Sequence, residues 1–362
     1  MSWILVIFGF CLLIVLHEAG HFFAAKATGM RVEKFFLFFG PKIFSFKRGE
    51  TEYGIATIPA GGYVKISGMT PDEKLPPGEE GRGYYAQPVW KRVVVIGAGP
   101  AVNIVLALAI FFVLALGASE TTQTVGRIVP GSPAATALKH GDKIVAVDGA
   151  SYPNLDREAR LEHFVKDISS HKCGGEQRVG CRAATPVSLT IERDGSVKTL
   201  RVRPEYRASE KRTLVGFSYG STPANLGIGG AADRALSGAW FITHETATRF
   251  ARIFDAEERK QISGVVGVSD VAHQTIEISA EKTLLLLAVV SLSLGLINLF
   301  PFLPLDGGHI FWSLVEKLRG KRVSFRVMEQ ASVVGFLLVM ALFVIGLTND
   351  IGRITGEGFR VR

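Results

Sequence analysis

The sequence predicts a polytopic α-helical membrane protein with four transmembrane helices. It adds a membrane-associated β-hairpin region after the first helix and an α+β domain inserted between the second and third. Three observations carry that prediction. Of the 362 residues, 48% are hydrophobic yet 20% are charged, a balance that suits a chain divided between membrane and water. The apolar residues collect in four long runs rather than in short amphipathic repeats. Lys and Arg concentrate in the stretches that follow the first and third runs, the mark of cytoplasmic loops. The net charge of +8 therefore reflects topology, and the expected partner is membrane lipid, not nucleic acid. Only three cysteines occur, Cys11, Cys173 and Cys181, with no Cys-x-x-Cys pair, so any metal would be held by His and carboxylate.

The first element, 1–25, has no charged residue from 3 to 16. It lacks the basic start of a secretory signal, and cleavage after Ala25 would discard its most informative residues, so it is expected to be a retained transmembrane helix. Those residues are His17-Glu18-Ala19-Gly20-His21. Positions i and i+4 share a helix face, so His17 and His21 can present two imidazoles to one Zn²⁺ while Glu18 stands beside them, free to act as a base. At 1.5 Å per residue, His17 lies roughly 20 Å into a hydrocarbon layer about 30 Å thick. Charge there is costly enough to mark a functional site. The competing reading is a helix end that reaches the headgroups, where His and Glu are only solvated.

Residues 26–88 carry Lys26, Arg31, Lys34, Lys42, Lys47, Arg48 and Lys65, which places this stretch in the cytoplasm and the N-terminus outside. Within it 42–47 and 51–58 alternate as strands do, with turns at Gly49 and at Pro59-Ala60-Gly61-Gly62. Two readings stand: a small cytoplasmic sheet, or a re-entrant hairpin dipping toward the histidines, tolerated at depth only when covered by protein or facing a wet cavity. The second helix, 89–117, carries Gly97, Gly99, Pro100 and Asn103; small residues permit close helix approach, and Asn103 is assigned an ordinary packing role.

Residues 121–207 form a water-soluble module outside the cytoplasm. Strand-like 124–129, Ser132-Pro133-Ala134, Gly141-Asp142-Lys143-Ile144, Asp148-Gly149, a helix over 156–168 and two strands around Asp194-Gly195 follow in order. This order resembles a PDZ domain of the bacterial protease type, which implies capture of an extended peptide at a sheet edge. A Cys173–Cys181 disulfide is expected, because the compartment is oxidising and Gly174, Gly175 and Gly180 make a short closed loop feasible. Residues 208–282 form an amphipathic segment, with a helix over 231–254 whose Leu236, Trp240, Phe241 and Phe250 can lie on a membrane surface. His140, His163, His171, His244 and His273 have no ligand spacing.

The third membrane helix and the loop after it, 283–309, run into Asn298-Leu299-Phe300-Pro301-Phe302-Leu303-Pro304-Leu305-Asp306. Pro301 and Pro304 break the helix in apolar surroundings, letting Asp306 project from an irregular segment. A buried carboxylate needs a partner, and a zinc held by two histidines needs a third ligand. The alternative is that Asp306 caps the next helix. Residues 310–330 form a second basic cytoplasmic loop, and 331–348 the fourth helix, which returns outside.

Taken together, His17-Glu18-Ala19-Gly20-His21, Gly99-Pro100-x-x-Asn103, the PDZ-like insert and Asn298-Leu299-Phe300-Pro301 with Leu305-Asp306-Gly307-Gly308 resemble the site-2 protease family of intramembrane zinc metalloproteases, in the branch of the bacterial regulator of sigma-E protease. The resemblance covers nearly the whole chain. It departs in carrying one PDZ-like module where some relatives have two, and Val265-Val266-Gly267 where relatives often have Gly-Pro-Val-Gly. It implies Zn²⁺ on His17, His21 and Asp306, with Glu18 as general base. Asn298 and the hairpin at Gly61, Gly62, Tyr63 and Val64 would handle substrate. It further implies a multi-pass protein of the bacterial inner membrane, with both termini and the PDZ-like module extracytoplasmic, that cleaves membrane proteins such as anti-sigma factors after a first outer cut. Two rivals from other classes are a transporter, which usually shows inverted repeats that are not evident here, and a proteolytically idle PDZ scaffold, which would not need Glu18 beside His17.

Overall fold

Four helices of the computed structural model are long and apolar enough to cross a membrane: Ile4–Ala27, Val89–Leu116, Ala280–Asn298 and Phe325–Thr355. The structure describes residues 2–69, 73, 75–208, 210–252, 255, 259 and 262–356, and the statements below concern these. They divide into two compact units, Gly117–Asn225 and the rest.

In the helical unit, α1 (Ser2–Ala27) leads into β1 (Val32–Arg48) and β2 (Thr51–Ile66), followed by α2 (Val89–Leu116). Exposed Ile4, Ile7 and Phe8 on α1 suit an apolar solvent, whereas its other side meets α2 through small residues. A Cβ added at Gly20 would lie 2.5 Å from the Ala98 carbonyl oxygen, so glycine is what lets the two backbones touch. Later in the chain come α5 (Gly227–Ala251), α6 (Val265–Ile278), α7 (Ala280–Asn298), α8 (Asp306–Arg319) and α9 (Phe325–Thr355). Helix α2 is the centre of this unit, in contact with α1, α5, α7 and α8. Its Ala107 and Phe111 bury against Ala235 and Ala239 of α5 and Ala288 and Leu292 of α7. Buried Arg92 at its other end donates two hydrogen bonds, of 3.0 and 2.8 Å, to Glu316 and so fixes α8.

The hairpin is more elaborate than two strands and a turn. Residues 34–37 pair on one side with 52–55 and on the other with 62–65, and 42–48 pair with 51–56. Pro59 to Gly62, expected as a turn, lies within β2, where the chain changes from one side of β1 to the other. Arg82 clasps the Glu50 carboxylate with bonds of 2.8 and 2.9 Å, and Lys26 at the end of α1 joins the same group. Hydrogen bonding from Arg82, reinforced by Lys26, holds the Glu50 carboxyl down to about 2. The clasp ties the hairpin tip to the end of the helix that carries the histidines.

Helix α5 presents Leu236, Trp240 and Phe241 outward, but Phe250 stacks on Phe300 with centroids 4.3 Å apart instead of lying on a surface. Phe254, placed in the same helix from the sequence, lies outside the described residues. Asp306 does not project from irregular chain; it opens α8. Asp350 of α9 is fully buried and accepts from the backbone N–H groups of Gly264 and Gly267 at 3.1 and 2.8 Å, capping α6.

The second unit is a five-stranded antiparallel sheet in the order β6-β5-β4-β3-β9, with β3 (Ser119–Ile128), β4 (Lys143–Val147), β5 (Val187–Arg193), β6 (Ser196–Val202) and β9 (Phe217–Pro223). Helices α3 (Pro133–Ala137) and α4 (Arg157–Ser170) accompany it, and β7 (Glu205–Arg207) pairs with β8 (Arg212–Leu214). The alternate residues Val187, Leu189 and Ile191 are fully buried against Ile144, Val147 and Phe164, each such burial worth about 1.5–3 kcal/mol. The unit extends to Asn225, past the boundary at 207 read from the sequence, because β9 completes the sheet beside β3. An open groove between α4 and the β9 edge is lined by Val165, Ile168, Phe217 and Tyr219. Cys173 and Cys181 are joined by a disulfide, and His171 is held between Asp148 and Thr185.

Candidate metal centre

Helix α1 places His17 and His21 one turn apart, both buried, at 8% and 7% exposure. Their Nε2 atoms lie 3.2 Å from each other, and 3.2 and 3.3 Å from Oδ2 of Asp306. Asp306 reaches them because α8 starts against the loop before it: a Cβ at Gly307 would sit 2.2 Å from the Leu299 carbonyl oxygen, and one at Gly308 2.5 Å from the Leu303 nitrogen. The chain from Leu299 to Leu303 thus folds back over two bare backbone positions and delivers the carboxylate to the histidines.

The donor set fits zinc. Three ligands of a tetrahedral Zn²⁺ with bonds of about 2.0–2.1 Å stand roughly 3.3–3.4 Å apart, close to the triangle these atoms form. Asp306 Oδ2 is buried and makes no hydrogen bond to any described residue, the state of an oxygen that needs a cation. Nδ1 of His21 donates to the Val95 carbonyl oxygen at 2.9 Å, which leaves its Nε2 lone pair facing the triangle. Among the described residues, these are the three His, Cys, Asp or Glu side chains whose ligand atoms cluster in this way.

Glu18 is half-buried beside the triangle and is not one of its three members. The β2 segment that carries Gly61, Gly62, Tyr63 and Val64 runs past it. A Cβ at Gly62 would come within 2.9 Å of Glu18 Cγ. Tyr63 stacks on Phe36 and Phe39, which fixes the strand. Asn298 ends α7 half-buried and outside the triangle.

Two residues assigned only to packing from the sequence touch the histidines. Gly99 lies under the His21 ring: a Cβ there would be 2.3 Å from Nε2. Asn103, fully buried, puts its amide nitrogen 3.3 Å from Nδ1 of His17. The Gly-Pro-x-x-Asn run was visible, but nothing local to it shows which face of the helix meets the histidines.

The profile of peptidase family M50 matches residues 5–342. Over 359 residues the chain is 33% identical to a protein of Clostridium perfringens named as a candidate zinc metalloprotease, covering 97% of this chain and 98% of that one. A similarly named protein of Brucella suis is 30% identical over 371 residues, with 95% and 93% covered. Zinc metalloprotease Rip1 of Mycobacterium tuberculosis is 29% identical over 394 residues, with 94% and 93% covered.

Proposed function

The chain belongs to peptidase family M50, the site-2 proteases, and is a zinc metalloprotease; on that premise we propose that it hydrolyses peptide bonds in or near transmembrane segments of other membrane proteins. The observation that carries the reading is the triangle of His17, His21 and Asp306 donors built on apolar, membrane-class helices. In this proposal those three residues hold the metal. Bound zinc supplies Lewis acidity that polarises a peptide carbonyl and acidifies water. Glu18, next to His17 in sequence and outside the ligand set, accepts the proton of the attacking water and returns it to the leaving amine.

A transmembrane helix hides its carbonyls in its own hydrogen bonds, so the substrate must be opened before it is cut. Among the described residues, 62–65 of β2 pair on one side only, with 34–37. Their other edge can take an extended substrate segment by strand addition, with Gly61 to Val64 beside Glu18 and Asn298 assisting at the end of α7. The groove of the second unit, set between a helix and an edge strand, supports a PDZ-like role in receiving a peptide end. The basic loops after the first and third membrane helices support a cytoplasmic site face, with both termini and the 117–225 unit outside a bacterial inner membrane. Anti-sigma-factor-like proteins, already trimmed outside, are the substrate class this arrangement would serve in regulated intramembrane proteolysis.

The test is cleavage of a transmembrane model substrate in proteoliposomes. Glu18→Gln is expected to abolish cleavage while zinc stays near one per chain. Wild-type turnover in that variant, or loss of its zinc, would remove Glu18 from the role of base.

A further inference from the structure

We infer that Asn103 is a positioning residue of the metal centre: its side-chain oxygen accepts the Nδ1 proton of His17 and so keeps the Nε2 lone pair available to zinc. The inference rests on the reading of His17 as a ligand. It starts from two facts about one carboxamide. The nitrogen Nδ2 is 3.3 Å from His17 Nδ1, and the oxygen Oδ1 is buried with no hydrogen-bond partner among the described residues. An amide nitrogen can only donate. If Nδ2 faces Nδ1, then Nδ1 carries the lone pair, and the proton of a neutral imidazole sits on Nε2. That proton would point at His21 Nε2 and Asp306 Oδ2, and His17 would have nothing to give a metal.

A half turn of the amide plane changes nothing in its volume and brings Oδ1 to Nδ1. With Oδ1 at Nδ1 the proton is fixed on Nδ1 and Nε2 faces the triangle unprotonated; Nδ2 takes the unpartnered place that Oδ1 held, so the tautomer a metal requires, and not the number of hydrogen bonds, selects this orientation. His21 already has this arrangement, with Nδ1 donating to the Val95 carbonyl oxygen at 2.9 Å. Both acceptors belong to α2, so a single helix would set the tautomer of both histidines. Asn103 is well placed to hold still while doing so: it is fully buried, and its backbone carbonyl oxygen accepts from Ser291 Oγ at 2.8 Å, which anchors that turn of α2 to α7.

The competing account is that Asn103 only fills space. Leucine is close to asparagine in size and removes the acceptor, whereas aspartate keeps an acceptor and cannot donate. Zinc affinity of the detergent-solubilised full chain is measured by chelator competition for the wild type, Asn103→Leu, Asn103→Asp and His17→Ala. Circular dichroism reports the fold of each. Lost outer partners of a metal-bound histidine typically cost 10–100-fold in affinity. Asn103→Leu is expected to bind zinc about 10–100-fold more weakly. Asn103→Asp is expected to stay within a few-fold of wild type, with kcat following zinc occupancy and KM unmoved. Wild-type affinity in folded Asn103→Leu overturns the inference. If Asn103→Leu does not fold, Asn103→Asp decides: a folded protein with zinc supports the inference, and loss of either zinc or fold refutes it. His17→Ala separates the two levels. Wild-type affinity in that variant brings down the ligand reading itself, whereas its loss alongside an intact Asn103→Leu brings down the role of Asn103 alone.

Discussion

Replacing Gly99 by alanine should disable the metal centre without touching a ligand. The added Cβ would lie 2.3 Å from Nε2 of His21, 2.6 Å from Cε1 and 2.9 Å from Cδ2, against an ordinary contact that begins at 3.4 Å. The ring must therefore retreat by about 1 Å, whereas metal–ligand distances tolerate only about ±0.2 Å. Overpacking of this kind costs about 1–3 kcal/mol, which a helix bundle survives. Zinc affinity is expected to fall about 10–100-fold, with cleavage lost in proportion. Gly97→Ala is the control on the same helix, since its Cβ would meet nothing closer than Ile310 Cδ1 at 3.8 Å. The assay is chelator competition on the solubilised proteins, with thermal unfolding to confirm the fold. A folded Gly99→Ala that holds zinc as tightly as Gly97→Ala would refute the argument that the α1–α2 contact positions His21.

Asp306→Ala should release zinc as well as abolish cleavage, because it removes the third donor of the triangle; a full complement of metal in that variant would strike Asp306 from the ligand set. Gly62→Ala should behave oppositely, keeping zinc while lowering kcat, since its Cβ would crowd Glu18 Cγ at 2.9 Å and the Phe36 carbonyl oxygen at 3.1 Å; metal analysis beside single-turnover cleavage separates the two. In the second unit, the buried Asp142 carboxylate accepts from Arg193 Nε and Nη2 and from the Lys139 backbone N–H, all at 2.7 Å, and hydrogen bonding from Arg193 holds its pKa below the usual 3.8. A lowered folded-state pKa gives stability that is complete above the unfolded value and lost as pH falls through the folded one. Asp142→Asn should therefore cost about 2 kcal/mol at pH 7 and progressively less below pH ~4, read from hydrogen exchange of the β4 and β5 amides in the full chain; a gap that does not close in acid would contradict the pairing. Replacing 117–225 by a Gly/Ser linker should leave cleavage of a bare transmembrane helix largely intact and raise cleavage of the same helix carrying a folded outer domain. An unchanged ratio of the two rates would mean that the unit is no filter.

What could be read from the sequence was what is local or chemically compulsory. His17, Glu18 and His21 declare themselves through a four-residue spacing that any helix converts to a shared face. Asp306, distant in sequence, was reachable because two histidines leave a zinc short of a ligand and a carboxylate in apolar surroundings needs a cation. Gly99 and Asn103 could not be assigned in the same way. Their roles come from which side of α2 meets α1, and a helix that is apolar all round carries no amphipathic signal to say so. The strand β9 was missed because Ser218, Gly220, Ser221 and Pro223 give it little strand character of its own; pairing with β3 supplies what the residues lack. Phe250 was misread for a related reason: a phenylalanine on an amphipathic helix looks the same whether its face meets lipid or, as here, the ring of Phe300.

We expect one zinc to be held inside the helical unit by His17, His21 and Asp306. X-ray absorption at the zinc edge on the full chain tests it most directly, with His17→Ala and Asp306→Ala measured alongside. The account predicts one zinc per chain in the wild type, with two imidazole nitrogens and oxygen donors at about 2.0–2.2 Å, and a vanishing signal in both variants. Sulfur in the first coordination sphere, or a wild-type spectrum surviving in either variant, would contradict it.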